Sequence, residues 1–511
     1  MAPFPRIAAL VTGLLTLVGC SMTPTMPTPE TEASLPSDYA QAAPDSLAAD
    51  TLLPTTAADT ARYDATRWWT DFRDPTLNAL IDTALADNLT LAAARARLEE
   101  LQAQYQIARA PLFPSADASG SVSRQSQPAN TGIGGAIGGG EDGSGENGPP
   151  QPTIDRFEFT DYSVSLGLSY ELDFWGRIRS QKNAALSEFF ATRADLHGTR
   201  LAIVSQTIST YFQVVTLAEQ VRLAEQNVEL LQERRDITRD RYNRGLASSF
   251  ELYSVRQQYE QARANQPELA SQLYDARSRL AVLLGRFAGQ ERALLPDGAV
   301  DTLGFPPIPA GVPSDVLRQR PDVMAAAARL EATRQRIGVA RASVLPSVTL
   351  TGQGGLQSSS LDNLFDPGQW FTSFMASLAQ PLFRGGQLWA GIDASKARYE
   401  QQLATYEETL LTAFQEVKAS LVAYEQQQQR YQRVADQLAA ARASARNQQR
   451  RYERGIGDYL VLLDAEQNLT QVRQRFASAR RAVVEARLAV HRALGGDWTS
   501  TPAPEDPRLF Q

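Results

Sequence analysis

Much of this chain is written twice. Leu98-Glu99 leads to Ile107-Ala-Arg-Ala-Pro-Leu-Phe-Pro114-Ser115, and 232 residues on Leu330-Glu331 leads to Val339-Ala-Arg-Ala-Ser-Val-Leu-Pro346-Ser347. Arg241-Tyr-Asn-Arg-Gly245-Leu246 matches Arg451-Tyr-Glu-Arg-Gly455-Ile456 at a spacing of 210, as does Leu284-Gly285 with Leu494-Gly495. The 22-residue difference between the two spacings is close to the length of the Gly- and Pro-rich stretch from Pro128 to Pro152. That stretch reads as an insertion in one loop of the first repeat. A repeated pattern of this length implies one fold built twice, not a string of unrelated domains.

Each repeat reads as helix, strand, strand, long helix, helix. Pro114 and Pro346 stop the first helices, because proline clashes with a continuing helix and biases its predecessor to extended geometry. The apolar period then changes from 3.6 to 2. Tyr162, Val164, Leu166, Leu168, Tyr170 and Leu172 alternate with Ser163, Ser165, Gly167, Ser169 and Glu171, a run long enough for a tilted transmembrane strand. Ala116 to Ser123, Val348 to Thr351 and Trp370 to Leu378 supply three further strand candidates. An ordinary half-buried soluble hairpin would show the same alternation.

No proline occurs between 153 and 266 or between 382 and 501. Helices are expected from Arg177 to Arg244 and from Gly386 to Arg454, each roughly 100 Å long at 1.5 Å per residue. Leu201, Val204, Ile208, Tyr211 and Val215, then Leu217, Val221, Ala224, Val228 and Leu231, form a coiled-coil seam with a register shift near 216. Both helices end at Arg-Gly and return in a second helix, an αα-hairpin tip. Pro267 should kink the first return helix.

Composition removes most chemistries. The net charge of −7 lacks the basic excess of a nucleic-acid surface. One Cys and two His leave almost no material for disulfides, metal sites or His-based triads, and none of the three lysines (Lys182, Lys396, Lys418) follows a glycine as a P-loop requires. No enzyme is expected. The solitary Cys20 closes the run Leu17-Val18-Gly19-Cys20 after Arg6 and the apolar stretch Ile7–Val18. This resembles a bacterial lipoprotein signal, in which cleavage precedes a cysteine whose thiol receives lipid; Ser21 after it favours export to the outer membrane. Several buried acyl chains anchor durably, and the Pro-, Thr- and Ser-rich stretch to about 60 reads as a flexible tether. Four strands cannot close a barrel, so either they stay in water or several chains share one.

At this point the residues resemble a known family, the outer membrane factors of the TolC type. Trp68-Trp69-x-x-Phe72-x-Asp74-Pro75 through Pro114-Ser115 resembles their opening. Tyr170-Glu-Leu-Asp-Phe-Trp-Gly-Arg177 resembles the second strand entering the first long helix. Arg320-Pro-Asp-Val323 with Ile337-Gly-Val-Ala-Arg-Ala342, and Pro381-Leu-Phe-x-Gly385-Gly386, resemble the start of the second repeat and its last strand turning into a helix. Cys20 makes the lipidated OprM/NodT branch the nearest. The 128–152 insertion is long, and Ala327 stands where the family often has Glu. The resemblance covers roughly 65–497.

The resemblance implies a mainly α fold with a membrane β-barrel portion: a homotrimer with a 12-stranded outer-membrane barrel continuing into a periplasmic α-helical tunnel. It implies the exit duct of a tripartite efflux system, with a periplasmic adaptor (membrane fusion protein) and an inner-membrane pump of the RND type as partners. No cofactor is implied beyond lipid on Cys20. The expected organisation is a signal peptide over 1–19, lipidated N-terminus and tether over 20–64, and repeat 1 over 65–290 with its β-hairpin at 115–173 and helix hairpin at 177–285. A linker over 291–312 follows, then repeat 2 over 313–497 with β-hairpin 347–382 and helix hairpin 386–494, and a tail over 498–511.

By the same resemblance Leu460 would supply an apolar ring and Asp464 a carboxylate ring at the periplasmic aperture. Arg244, Gly245, Leu246, Arg454, Gly455 and Ile456 would be the adaptor docking tips. The plainer alternatives are that Leu460 packs within its hairpin, that Asp464 caps or pairs at a surface, and that the glycines are only helix caps. His197, His491, Trp68, Trp69 and Phe72 read as packing residues, the last three stapling their segment to the helices. A lipid-anchored periplasmic coiled-coil scaffold or adaptor is the alternative function; it gives no reason for the strand pairs.

Overall fold

The structure is a computed structural model that describes residues 21–26, 65–128, 156–291 and 319–496. The signal sequence, Cys20, the tether from 27, the insertion beyond Pro128, most of the linker and the tail lie outside the described residues. The chain divides into two compact units: Met1–Met26, Gln102–Ser187 and Glu331–Glu400 form the first, and Pro27–Leu101, Glu188–Leu330 and Gln401–Gln511 the second.

After a 3-10 segment at Ala65–Phe72 come α1 (Pro75–Asp87), α2 (Leu89–Arg109), β1 (Ser115–Pro128) and β2 (Arg156–Leu172). Then follow α3 (Arg177–Asn243), α4 (Ser249–Leu283), α5 (Pro321–Ala342), β3 (Ser347–Ser358), β4 (Trp370–Ala379), α6 (Gln387–Glu453) and α7 (Tyr459–Ala493). The long helices therefore end within one residue of the sequence-based expectation. α3 passes 216 unbroken. α4 likewise continues through Pro267, which forgoes one backbone hydrogen bond. The first helix of repeat 1 is instead two helices. Asn88 caps α2 by accepting from the Leu91 amide (3.0 Å) and donates through Nδ2 to the Leu283 carbonyl at 2.9 Å.

The first unit holds one antiparallel sheet in the order β1-β2-β3-β4, with Ala118 opposite Leu166, Leu166 opposite Gly354 and Gly352 opposite Phe374. Where β2 enters α3, the Asp173 carboxylate accepts from the amides of Ile178 (3.0 Å) and Arg179 (2.9 Å), Gly176 turns the chain at φ 72°, and Trp175 Nε1 donates to the Pro346 carbonyl at 2.8 Å. The corresponding turn of repeat 2 uses Gly385 and Gly386, at φ 57° and 82°.

The second unit is helical. Trp68, Trp69 and Phe72 are buried with Leu77, Leu80 and Ile81 of α1, Val204, Ile208, Tyr211 and Phe212 of α3, Leu280 of α4, and Val484 and Leu488 of α7. The seam read from the sequence is thus core. Part of α3 is long and apolar enough to cross a membrane, but it is mostly buried among these residues. Tyr211 donates to Asp74 at 2.7 Å, and Asp74 caps α1 through the amides of Thr76 and Leu77. Arg320 ties the start of α5 to its neighbours, donating to Asp322 and Glu416 (2.7 Å each) and to the Ala493 carbonyl at 2.8 Å.

His491 is buried, stacked on Trp68 with ring centroids 4.5 Å apart, and accepts at Nε2 from Arg487 at 3.2 Å. Burial first, and the Arg487 charge second, hold its pKa well below the usual imidazole range. The folded protein therefore keeps it neutral, whereas the unfolded chain takes up a proton below about pH 6.5. Stability is full above that pH and falls as pH drops, by at most about 1.4 kcal/mol per pH unit per chain. The helical melting temperature, followed by circular dichroism, should fall between pH 7.5 and 5, and His491→Gln should flatten that fall. Equal slopes in both proteins would contradict the assignment.

Candidate functional site

The sheet sorts most of its residues by chemistry between its two faces, with Phe159, Phe371 and Met375 as apolar exceptions on the polar face and the Arg124–Glu158 ion pair on the apolar one. Gly120, Val164, Leu356 and Trp370 share one face with Leu166, Leu168, Leu350 and Phe374, as the register dictates. Val164, Leu166, Leu168, Trp370 and Phe374 (76%) on that face are exposed. The other face carries Ser119, Ser121, Ser163, Ser165, Gln353 and Gln357. There Ser121 and Ser163 lie 2.8 Å apart through their hydroxyls, Gln353 Nε2 donates to Ser165 Oγ at 2.8 Å, and Gln357 Nε2 donates to Asp161 at 2.9 Å. A water-soluble sheet covers its apolar face. This one leaves the apolar face open and knits the polar one together, the pattern of a strand wall between lipid and an aqueous lumen. Among the described residues, β1 and β4 each keep one unpaired edge, and an edge in lipid must be closed by another strand.

The two tips, in the second unit, share one geometry. Gly245 and Gly455 both stand at φ 73°, a left-handed conformation that glycine adopts without a Cβ penalty. The amide of Leu246 donates to the Arg241 carbonyl at 2.8 Å and that of Gly245 to Tyr242 at 2.9 Å. Ile456 to Arg451 (3.0 Å) and Gly455 to Tyr452 (2.9 Å) repeat the pair. This is the Schellman closure of α3 and of α6. Ser248 then caps α4 through the Glu251 amide at 3.2 Å, and Asp458 caps α7 through the Leu460 amide at 2.7 Å. Arg244 and Arg454 are exposed beside them. Leu246 (65%), Phe250, Ile456 (67%) and Val461 expose apolar side chains around these turns.

On α7, Leu462 and Leu463 face the core, so Leu460 and Asp464, one turn apart, share the opposite exposed face. Ser254, the first-repeat counterpart of Asp464, is half-buried.

Sequence reasoning missed the lock beside these residues. Arg234 of α3 is buried, ion-paired with Glu466 of α7, and stands 5.5 Å from the ring centre of Tyr459. Burial raises the Tyr459 phenol pKa, so the ring stays neutral. Gln467 Nε2 donates to Gln258 Oε1 between the two return helices. The pair occupies positions where the repeats differ: Ser444 corresponds to Arg234, and Arg256 to Glu466. Comparing repeats for such departures would have found it.

The chain matches the family described as outer membrane efflux protein over residues 80–286 and 312–496. It is 33% identical over 483 residues to the probable efflux pump outer membrane protein TtgC of Pseudomonas putida, covering 94% of this chain and 93% of that one. It is 31% identical over 501 residues to the pyoverdine export outer membrane protein OpmQ of the same species, covering 97% and 98%. Among solved structures, the Campylobacter jejuni CmeC outer membrane channel superposes with a TM-score of 0.80 at 26% identity, covering 94% of this chain and 95% of that one. The open-state MtrE outer membrane channel of Neisseria gonorrhoeae gives 0.74 at 29% identity, covering 94% and 100%. With the amphipathic sheet and the doubled helical hairpins, these likenesses place the chain in the outer membrane efflux protein family, as the outer-membrane channel of an efflux system.

Proposed function

We propose that three copies of this chain close their four-stranded sheets into one 12-stranded barrel, with the helices forming a periplasmic tunnel that passes small molecules outward. The observation that carries this is the sheet: an exposed, mostly apolar face, a hydrogen-bonded polar face and two edges unpaired among the described residues. Three sheets meeting β1 to β4 leave no edge in lipid. The scaffold alternative has no use for such a sheet. The proposed role is conduction, with no catalysis and no cofactor other than lipid on Cys20.

The exposed apolar tips around Gly245 and Gly455 are where a periplasmic adaptor would seat, bridging to an inner-membrane pump. RND type follows the family resemblance. Leu460 and Asp464 face one side of α7 and would form the resting constriction, with three carboxylates, not six, because Ser254 replaces the second acid. Like charges at a narrow ring repel and select cations. Leu460→Ala and Asp464→Ala should each raise single-channel conductance in planar bilayers, and Asp464→Ala should also weaken cation preference. Unchanged conductance in both would remove the aperture assignment.

A further inference from the structure

Two of the six residues that follow Cys20, Thr23 and Pro24, are held by hydrogen bonds to distant parts of the chain. Thr23 Oγ1 donates to Gln335 Oε1 at 3.1 Å and lies 3.2 Å from the hydroxyl of buried Ser180. Arg334 Nη1 donates to the Pro24 carbonyl at 3.0 Å. Arg334 is itself held by Glu331 at 2.7 and 2.8 Å, and Gln335 Nε2 donates to the same carboxylate at 2.6 Å. The seat is cut into α5 at Gly338. A Cβ there would stand 2.6 Å from Thr23 Oγ1, 3.1 Å from Thr23 Cα and 3.0 Å from Ser180 Oγ. Glycine inside a helix is unfavourable without a packing reason, and the bound segment is one. At the equivalent position of repeat 1 stands Gln106, with Ala103 in place of Gln335, so repeat 1 does not carry the same seat there.

Ser180 lies in the first turn of α3, just after β2, and Gly338 lies in the last turns of α5, just before β3. The seat therefore sits at the roots of the two middle strands. We propose that Ser21–Met26 in the Gly338 notch is a mooring that fixes the lipid on Cys20 beside the β2 and β3 roots. Gly338 is then a positioning residue for the anchor. Cys20 is one residue from Ser21 and three from Thr23, which limits its Cα to roughly 11 Å from that of Thr23. In a tether free from residue 21 onward the same covalent limit would hold, but Thr23 itself would have no fixed place. The mooring rests on the reading of Cys20 as acylated.

The test uses the full-length protein exported to the outer membrane. In Thr23→Cys with Ser180→Cys, the thiols replace two hydroxyls in contact and should form a disulfide in the oxidising periplasm, seen as a linked peptide by mass spectrometry. Adding Gly338→Leu should lower that yield at least tenfold. In the protein with its native Met22 and Met26, both half-buried, Gly338→Leu should speed their oxidation by peroxide severalfold while heat-modifiable assembly persists. Two free thiols in assembled protein, or linkage and oxidation indifferent to Gly338→Leu, would overturn the mooring. The mass of the N-terminal peptide reads acylation separately: linkage without acyl chains would overturn the lipid assignment alone, and acyl chains without linkage would overturn the mooring alone.

Discussion

Gly355→Val should abolish heat-modifiable oligomer in outer-membrane fractions, and Gly352→Ala, three residues away on the same strand, should leave it intact. At Gly355, paired with Ser165, an added Cβ would lie 2.6 Å from Ser165 Cα and 2.8 Å from Ser165 Cβ, and would also meet the Val164 carbonyl oxygen. These are atoms of the neighbouring strand, which cannot swing aside as the end of a long side chain can. At Gly352 nothing stands within 4 Å of the same hypothetical atom. Overpacking against well-packed neighbours costs about 1–3 kcal/mol. Here the cost falls on the join between the two hairpins, where the first repeat meets the second. Cells carrying Gly355→Val should match a deletion strain in a susceptibility panel. Normal assembly of Gly355→Val would show that β2 and β3 do not meet this closely.

Glu466→Ala should have the next largest effect. It removes the carboxylate ion-paired with the Arg234 guanidinium, which is buried between α3 and α7. Breaking a buried pair by removing one partner costs about 3–5 kcal/mol, whereas replacing both by apolar groups is often neutral. The expected result is a loosened tip, read as raised resting conductance and faster tryptic cleavage near Arg244 and Arg454. The double variant Arg234→Met/Glu466→Leu should restore slow cleavage, which a merely unfolded single variant could not explain. Wild-type cleavage and conductance in Glu466→Ala would show that this pair does not hold the two repeats together.

The repeat, the strand alternation and the proline-free helices were legible because each is a periodic pattern that one element expresses by itself. Leu460 and Asp464 were reachable only through the resemblance; the structure adds that they share an exposed face. What the sequence hid depends on pairs far apart in the chain. Asn88 looks tolerable inside a helix until the Leu283 carbonyl is seen beside it, and Arg234 and Glu466 belong to different repeats. Thr23 and Pro24 lie in a composition that signals a tether, yet Gly338 makes room for them. Composition reports what a segment can do alone. A partner three hundred residues away leaves no local trace except an unexplained glycine.

The proposed duct requires three chains to share one barrel. The most direct measurement is single-channel recording of the full-length protein extracted from outer membranes, on the same preparation whose subunit number is determined by native mass spectrometry. Three chains per particle and discrete, cation-preferring current steps are expected. A soluble single chain that gives no steps would contradict it.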